Sequence, residues 1–175
     1  MSTCTYLSAV NQKLLFAKKL IKLIEANKAA FNDKHMQVAI AQSITLHLGQ
    51  AWAWHLQDVA NNYKVTDPSI IQSVDDLEQS LLADGKQPAE STELKQLFYN
   101  DESWASNMLY AFNQLSSLPV IRKAEMDTDR LPMLSLDDAS NSKRKAVDWN
   151  LTTAIDWSKK MNELVERHRE MMIEF

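Results

Sequence analysis

The sequence predicts an all-α protein, an up-and-down helical bundle of four long helical segments plus one short helix. Two observations carry that expectation. The 175 residues include only two glycines and four prolines, and these are the residues that turn, kink and end regular structure. The apolar residues recur every three and four positions rather than every two, which is the period of a helix face. A chain of this length forms one domain with a proper core, residues 1–175.

The first helix is expected from about Thr5 to Ala30. Leu7, Val10, Leu14, Ala17, Ile21 and Ile24 form a heptad-like seam. Phe16, Leu20 and Leu23 widen it, so this helix should touch two neighbours. Asn32 or Asp33 supplies a cap for a second helix reaching about Tyr63. Its seam is Ala41, Ile44, Leu48, Ala51, His55 and Val59. Gly49 sits mid-helix, where glycine costs about 1 kcal/mol relative to alanine. Close approach of another helix or a bulky ring, such as a tryptophan, would explain it.

Asp67-Pro68 reads as the start of the short third helix, and Asp84-Gly85 as its end. A fourth segment begins near Ser91 or Thr92 and closes at Pro119. Asp101 falls on its apolar stripe. A break at Asn100-Asp101, with Asp101 as a new cap, fits better than a buried carboxylate. Between about 120 and 147 the periodicity fades into a long connection, with Leu131, Met133, Leu134 and Leu136 expected to pin its middle. The last helix runs from about Asp148 to Ile173, along Leu151, Ala154, Ser158, Met161, Val165, His168 and Met172.

Composition narrows the function classes. No apolar run is long enough to span a bilayer, and Met1–Val10 lacks the marks of a secretory signal. Cys4 is the single cysteine, so no internal disulfide forms. A cytoplasmic protein is the expectation. The net charge of −4 is unevenly spread. Residues 1–34 carry a balance of +4 and residues 65–104 a balance of −7. These segments are either complementary solvated faces of neighbouring helices or a basic strip for an acidic partner. Without arginine or interleaved aromatics the strip is a poor nucleic-acid surface, so no nucleic acid is expected as a partner.

Reactive motifs are scarce. The four histidines are His35, His47, His55 and His168, and no two are four apart. Neither Glu-x-x-His nor His-Glu-x-x-His occurs, and no metal or cofactor is expected. Two isolated glycines cannot build a phosphate-cradling loop. Glu163, Glu166 and Glu170 face away from the apolar stripe, where Lys159, Lys160 and Arg167 can pair with them. His55 and His168 lie on seams, a position in which histidine is usually a hydrogen-bonded core residue. His47, Trp54 and His55 could line one polar notch.

Several stretches resemble a known group. They are Asn11-Gln12-Lys13-Leu14-Leu15-Phe16-Ala17, Leu46-His47-Leu48 with Tyr63 following, Glu102-Ser103-Trp104, Leu131-Pro132, and Arg167-x-Arg169-Glu170 with Phe175. They are similar to a family of small all-helical gammaproteobacterial proteins of unknown function, along most of the chain. The resemblance implies a bacterial cytoplasmic protein and supplies no activity. It draws attention to Asn11, His47 and Glu102 as polar groups near apolar faces. In an antiparallel first hairpin Asn11 would approach Trp54 and His55, and could hydrogen-bond His55.

The functional expectation is a non-catalytic helical protein acting through a protein partner or self-association, because apolar helix faces, including five tryptophans, exceed one bundle seam. Asn11, His47, Trp54, His55 and His168 are the candidate binding residues. The alternative is a small-molecule or metal-dependent hydrolase with its polar notch around His47, His55 and His168.

Overall fold

The computed structural model describes residues 5–27, 33–117 and 147–173. Among the described residues the α-helices are α1 (Tyr6–Ala26), α2 (Lys34–Asn62), α3 (Val74–Ala83), α4 (Ala89–Tyr99), α5 (Trp104–Gln114) and α6 (Leu151–Ile173), with a 3-10 turn at Pro68–Ile70 before α3. No strand occurs among the described residues, and no helix among them is long and apolar enough to cross a membrane. The expected long connection, with Leu131 to Leu136, lies outside the described residues, as do Cys4 and Pro119.

α2 is the axis of the fold. It packs against α1, α3, α5 and α6, and its buried positions, among them Ile44, Leu48, Ala51, Trp52, Leu56 and Val59, take up about half of its girth. A helix that is apolar on so many sides must be enclosed. α1 is simpler. It buries Val10, Leu14, Ala17 and Ile24 against α2 and also touches α6, the two neighbours its widened stripe predicts.

Local chemistry sets the ends of the helices. Thr5 accepts from the Ser8 N–H at 3.2 Å, and Asp33 from the Met36 N–H at 3.0 Å. Asp67-Pro68 starts the 3-10 turn rather than α3. The cap of α3 is Ser73, in a reciprocal capping box with Asp76. α3 ends in a Schellman motif, with Gly85 at φ 71° and the Lys86 N–H bonded to the Leu81 carbonyl.

The expected fourth long segment is divided. α4 stops at Tyr99 and α5 starts at Trp104, so the break falls where Asn100-Asp101 suggests it. The new cap, however, is Ser103, which accepts from the Ser106 N–H at 3.0 Å. Its hydroxyl also donates to the Leu97 carbonyl of the preceding helix. That second bond fixes the corner, which Asp101 could not do from two residues earlier. Among the described residues the bundle therefore has three long helices and three short ones.

A second expectation also fails. The basic and acidic segments are not faces of neighbouring helices. α1 packs on α2 and α6, while α3 and α4 pack on each other, on α2 and on α5. The two charged surfaces share no seam.

Gly49 has the close neighbour its position predicts, and the ring is that of Phe112 on α5. A Cβ at position 49 would lie 2.2 Å from a ring carbon. Gly49→Ala should therefore lower stability by about 1–3 kcal/mol despite the better helix propensity. Adding Phe112→Leu should recover part of the loss in urea unfolding. α2 ends in the same motif as α3, but with a lysine where α3 has a glycine. Lys64 occupies the left-handed position at φ 62°, with the Val65 N–H bonded to the Ala60 carbonyl. Lys64→Gly should raise stability by roughly 0.5–1 kcal/mol, because a side chain is strained there, and the shift is readable in the thermal midpoint.

Candidate functional site: a buried histidine relay

Three helices supply one polar chain that runs from the apolar core to the surface. His55 lies on α2, His168 on α6 and Glu93 on α4. Both rings are fully buried, at 0% exposure. His55 Nε2 lies 2.9 Å from His168 Nδ1, and His168 Nε2 lies 3.1 Å from Glu93 Oε2. The rings are near-parallel, with centroids 5.1 Å apart. Arg167 closes the outer end by pairing with Glu93 Oε1 near the surface.

Proton placement follows from the acid. Burial pushes the Glu93 carboxyl up, but hydrogen bonds from Arg167 and His168 outweigh it and hold the pKa below the usual range. An ionised Glu93 only accepts, so His168 Nε2 carries a proton. Burial, against the pull of Glu93, lowers the His168 pKa and keeps that ring neutral. Its Nδ1 is then a lone pair and accepts from His55 Nε2–H. His55 is held neutral too, its pKa pushed down to about 3 by burial, then by His168 and Arg169. The chain of donors ends on His55 Nδ1, which has no hydrogen-bond partner.

A second polar layer surrounds the relay. Asp58, buried on α2, has its pKa raised by burial and lowered in part by Arg169. The Arg169 guanidinium donates to Asn11 Oδ1 at 2.8 Å. Glu90, also buried, accepts from the Tyr63 hydroxyl at 3.0 Å. Burial and Glu90 push that phenol up to about 12.

The five sequence candidates therefore divide. His55 and His168 meet, while Asn11 does not bond His55 as expected. It is exposed and accepts from Arg169 on α6. His47 and Trp54 do not join His55 in a notch. They point to α1, where the His47 ring meets Phe16 edge-on at 5.5 Å and Lys13 Nζ sits 5.3 Å from the Trp54 ring. His47 has its pKa lowered by partial burial and then by Lys13. Sequence reasoning missed Glu93, Asp58 and Glu90. Two of these left a trace. Glu90 stands four and seven residues before Leu94 and Leu97, and Asp58 three after His55, so both sit on apolar stripes. Arg167 was assigned to the glutamates of its own helix, but it pairs with Glu93 instead.

Among the described residues no group of three or more His, Cys, Asp or Glu side chains is arranged to hold a metal ion. One cleft, about 180 Å³ between α1 and α6, is lined by Asn11, Leu15, Lys18, Asn162 and Arg169 among others. A larger one, about 500 Å³, is lined by Tyr63, Lys86, Glu90 and Met171 among others. Neither relay histidine lines either of them.

The chain belongs to DUF6586, a family of unknown function, whose model matches residues 1–175. No curated protein and no solved structure matches it. The family match agrees with the resemblance to small all-helical proteins of unknown function and adds no chemistry to the site.

Neutral buried histidines make stability pH-dependent in a defined direction. The unfolded chain binds protons on these rings near pH 6.5, whereas the folded chain resists them. Stability should therefore fall as the pH drops below about 6.5, by up to about 1.4 kcal/mol per pH unit for each ring. Urea unfolding between pH 7.5 and 4.5 reads this slope. The double variant His55→Leu/His168→Met should flatten it.

Proposed function

We propose that this chain is a non-catalytic helical protein that works by binding another protein, in the bacterial cytoplasm. The carrying observation is the solvent side of α1. Leu15 and Leu23 stand 48% and 49% exposed there, and Phe16 is exposed beside them. An amphipathic helix that packs on one side and shows leucine and phenylalanine on the other has apolar area left to bury. The tryptophans do not supply this surface. Trp52 and Trp157 are buried, and Trp54, Trp104 and Trp149 pack against the core. Leucine and phenylalanine on α1 take over the role first ascribed to them.

The relay supports the same reading, since both of its histidines are buried and line neither of the clefts described above. A photo-crosslinking residue in place of Leu23 should give a discrete protein adduct. The same residue in place of Lys159, an exposed position on α6, should give none. Equal yields at the two positions, or no adduct at Leu23, would count against protein binding through α1.

A further inference from the structure

We propose that the partner is a second copy of this chain, with the basic face of α1 from one copy docking on the acidic α3–α4 face of the next. The proposal rests on the protein-binding reading above and names its partner. Three observations carry it.

The first is the charge on α1. Lys18, Lys19 and Lys22 share one exposed side of α1 with Leu15, and Glu25 is the only acid in the helix. Among the described residues none of these lysines makes an ion pair. The apolar flank of Phe16 and Leu23 borders this ridge. A ridge of ammonium groups beside exposed leucines suits an acidic surface that is itself partly apolar.

The second is that such a surface exists on the same molecule. α3 carries Asp75, Asp76 and Glu78 and no cation. Asp75, Glu78 and the exposed Leu82 fall on one stripe at spacings of three and four. Across from them on α4, Tyr99 donates its hydroxyl to Asp75 at 2.7 Å, and Phe98 stands edge-on to Tyr99. Both rings are exposed. Lys95 offsets Glu78 at 2.6 Å, and the bond from Tyr99 leaves the charge of Asp75 in place. The face remains acidic and presents leucine, phenylalanine and tyrosine.

The third is placement. Within one copy neither α3 nor α4 is a main packing partner of α1, and among the described residues Lys18, Lys19 and Lys22 pair with none of their carboxylates, so the fold does not neutralise one face with the other. Opposite charges on separate faces of one chain attract between copies. Because the two faces differ, the contact is heterologous, and it builds a ring or an open chain rather than a simple two-fold pair.

Sedimentation velocity on the intact chain, at roughly 0.02 M and 0.5 M salt, tests this. The unmodified protein should associate at low salt and dissociate at least tenfold more readily at high salt. Lys18→Glu/Lys22→Glu should be monomeric, and so should Asp75→Lys/Glu78→Lys. A mixture of the two reversed proteins should associate, because each supplies the face the other now fits. The neutral pair Asp75→Asn/Glu78→Gln keeps side-chain shape and should weaken association in the same direction. A monomeric unmodified protein, unchanged association of the lysine variant, or a mixture that stays monomeric overturns the proposal. The crosslinked adduct at Leu23 separates the two readings. An adduct of twice the chain mass supports self-docking. An adduct with a different protein leaves protein binding intact and overturns the second copy as partner.

Discussion

The structure turns on one short hydrogen bond between two buried imidazoles. His55 and His168 stand 113 residues apart in the chain, and their contact joins the central helix to the last one. Glu93 extends the join to α4, which is otherwise held mainly by α3 and α5. Burying an unpartnered ring nitrogen costs on the order of 1–3 kcal/mol, whereas a satisfied one costs little. The polar atoms therefore penalise any packing in which α2, α4 and α6 do not meet at this level. Apolar contacts alone tolerate sliding by a turn, and a directional pair does not.

The same residues explain how histidines, a glutamate and arginines in contact serve to join helices among the described residues. These groups bond across helices, while His55 Nδ1 is left without a partner. Ionised Glu93 receives Arg167 and His168, His168 receives His55, and Arg169 reaches Asn11. On the surface, α1 shows lysines and leucines and α3–α4 shows carboxylates and aromatic rings.

Much of this was legible in the sequence, and the unreadable parts share a cause. The stripe of α1, the extent of α2, the crowding at Gly49 and the break near Asn100 are local patterns, set by spacing or by one small residue. His55 and His168 stood out because they interrupt apolar seams. Their partner did not. Glu93 is 75 residues from His168, and a glutamate on a short helix has no local mark that says which distant ring it will meet. The caps failed for a different reason. Asp67 and Ser73 are both good N-caps six residues apart, and only the packing of Ile71 and Val74 into the core decides which one starts α3. The charge asymmetry was visible, but whether the two segments face each other depends on helix order in space, which periodicity does not encode.

Nitrogen-15 NMR of the imidazoles tests the relay most directly, because ring-nitrogen shifts report which nitrogen carries the proton. At neutral pH both His55 and His168 should be neutral and protonated on Nε2, and a proton should remain on His55 Nε2 in slow exchange with water. Either ring titrating near 6.5, or a mixture of tautomers in fast exchange, would mean that the helices are not joined in this way.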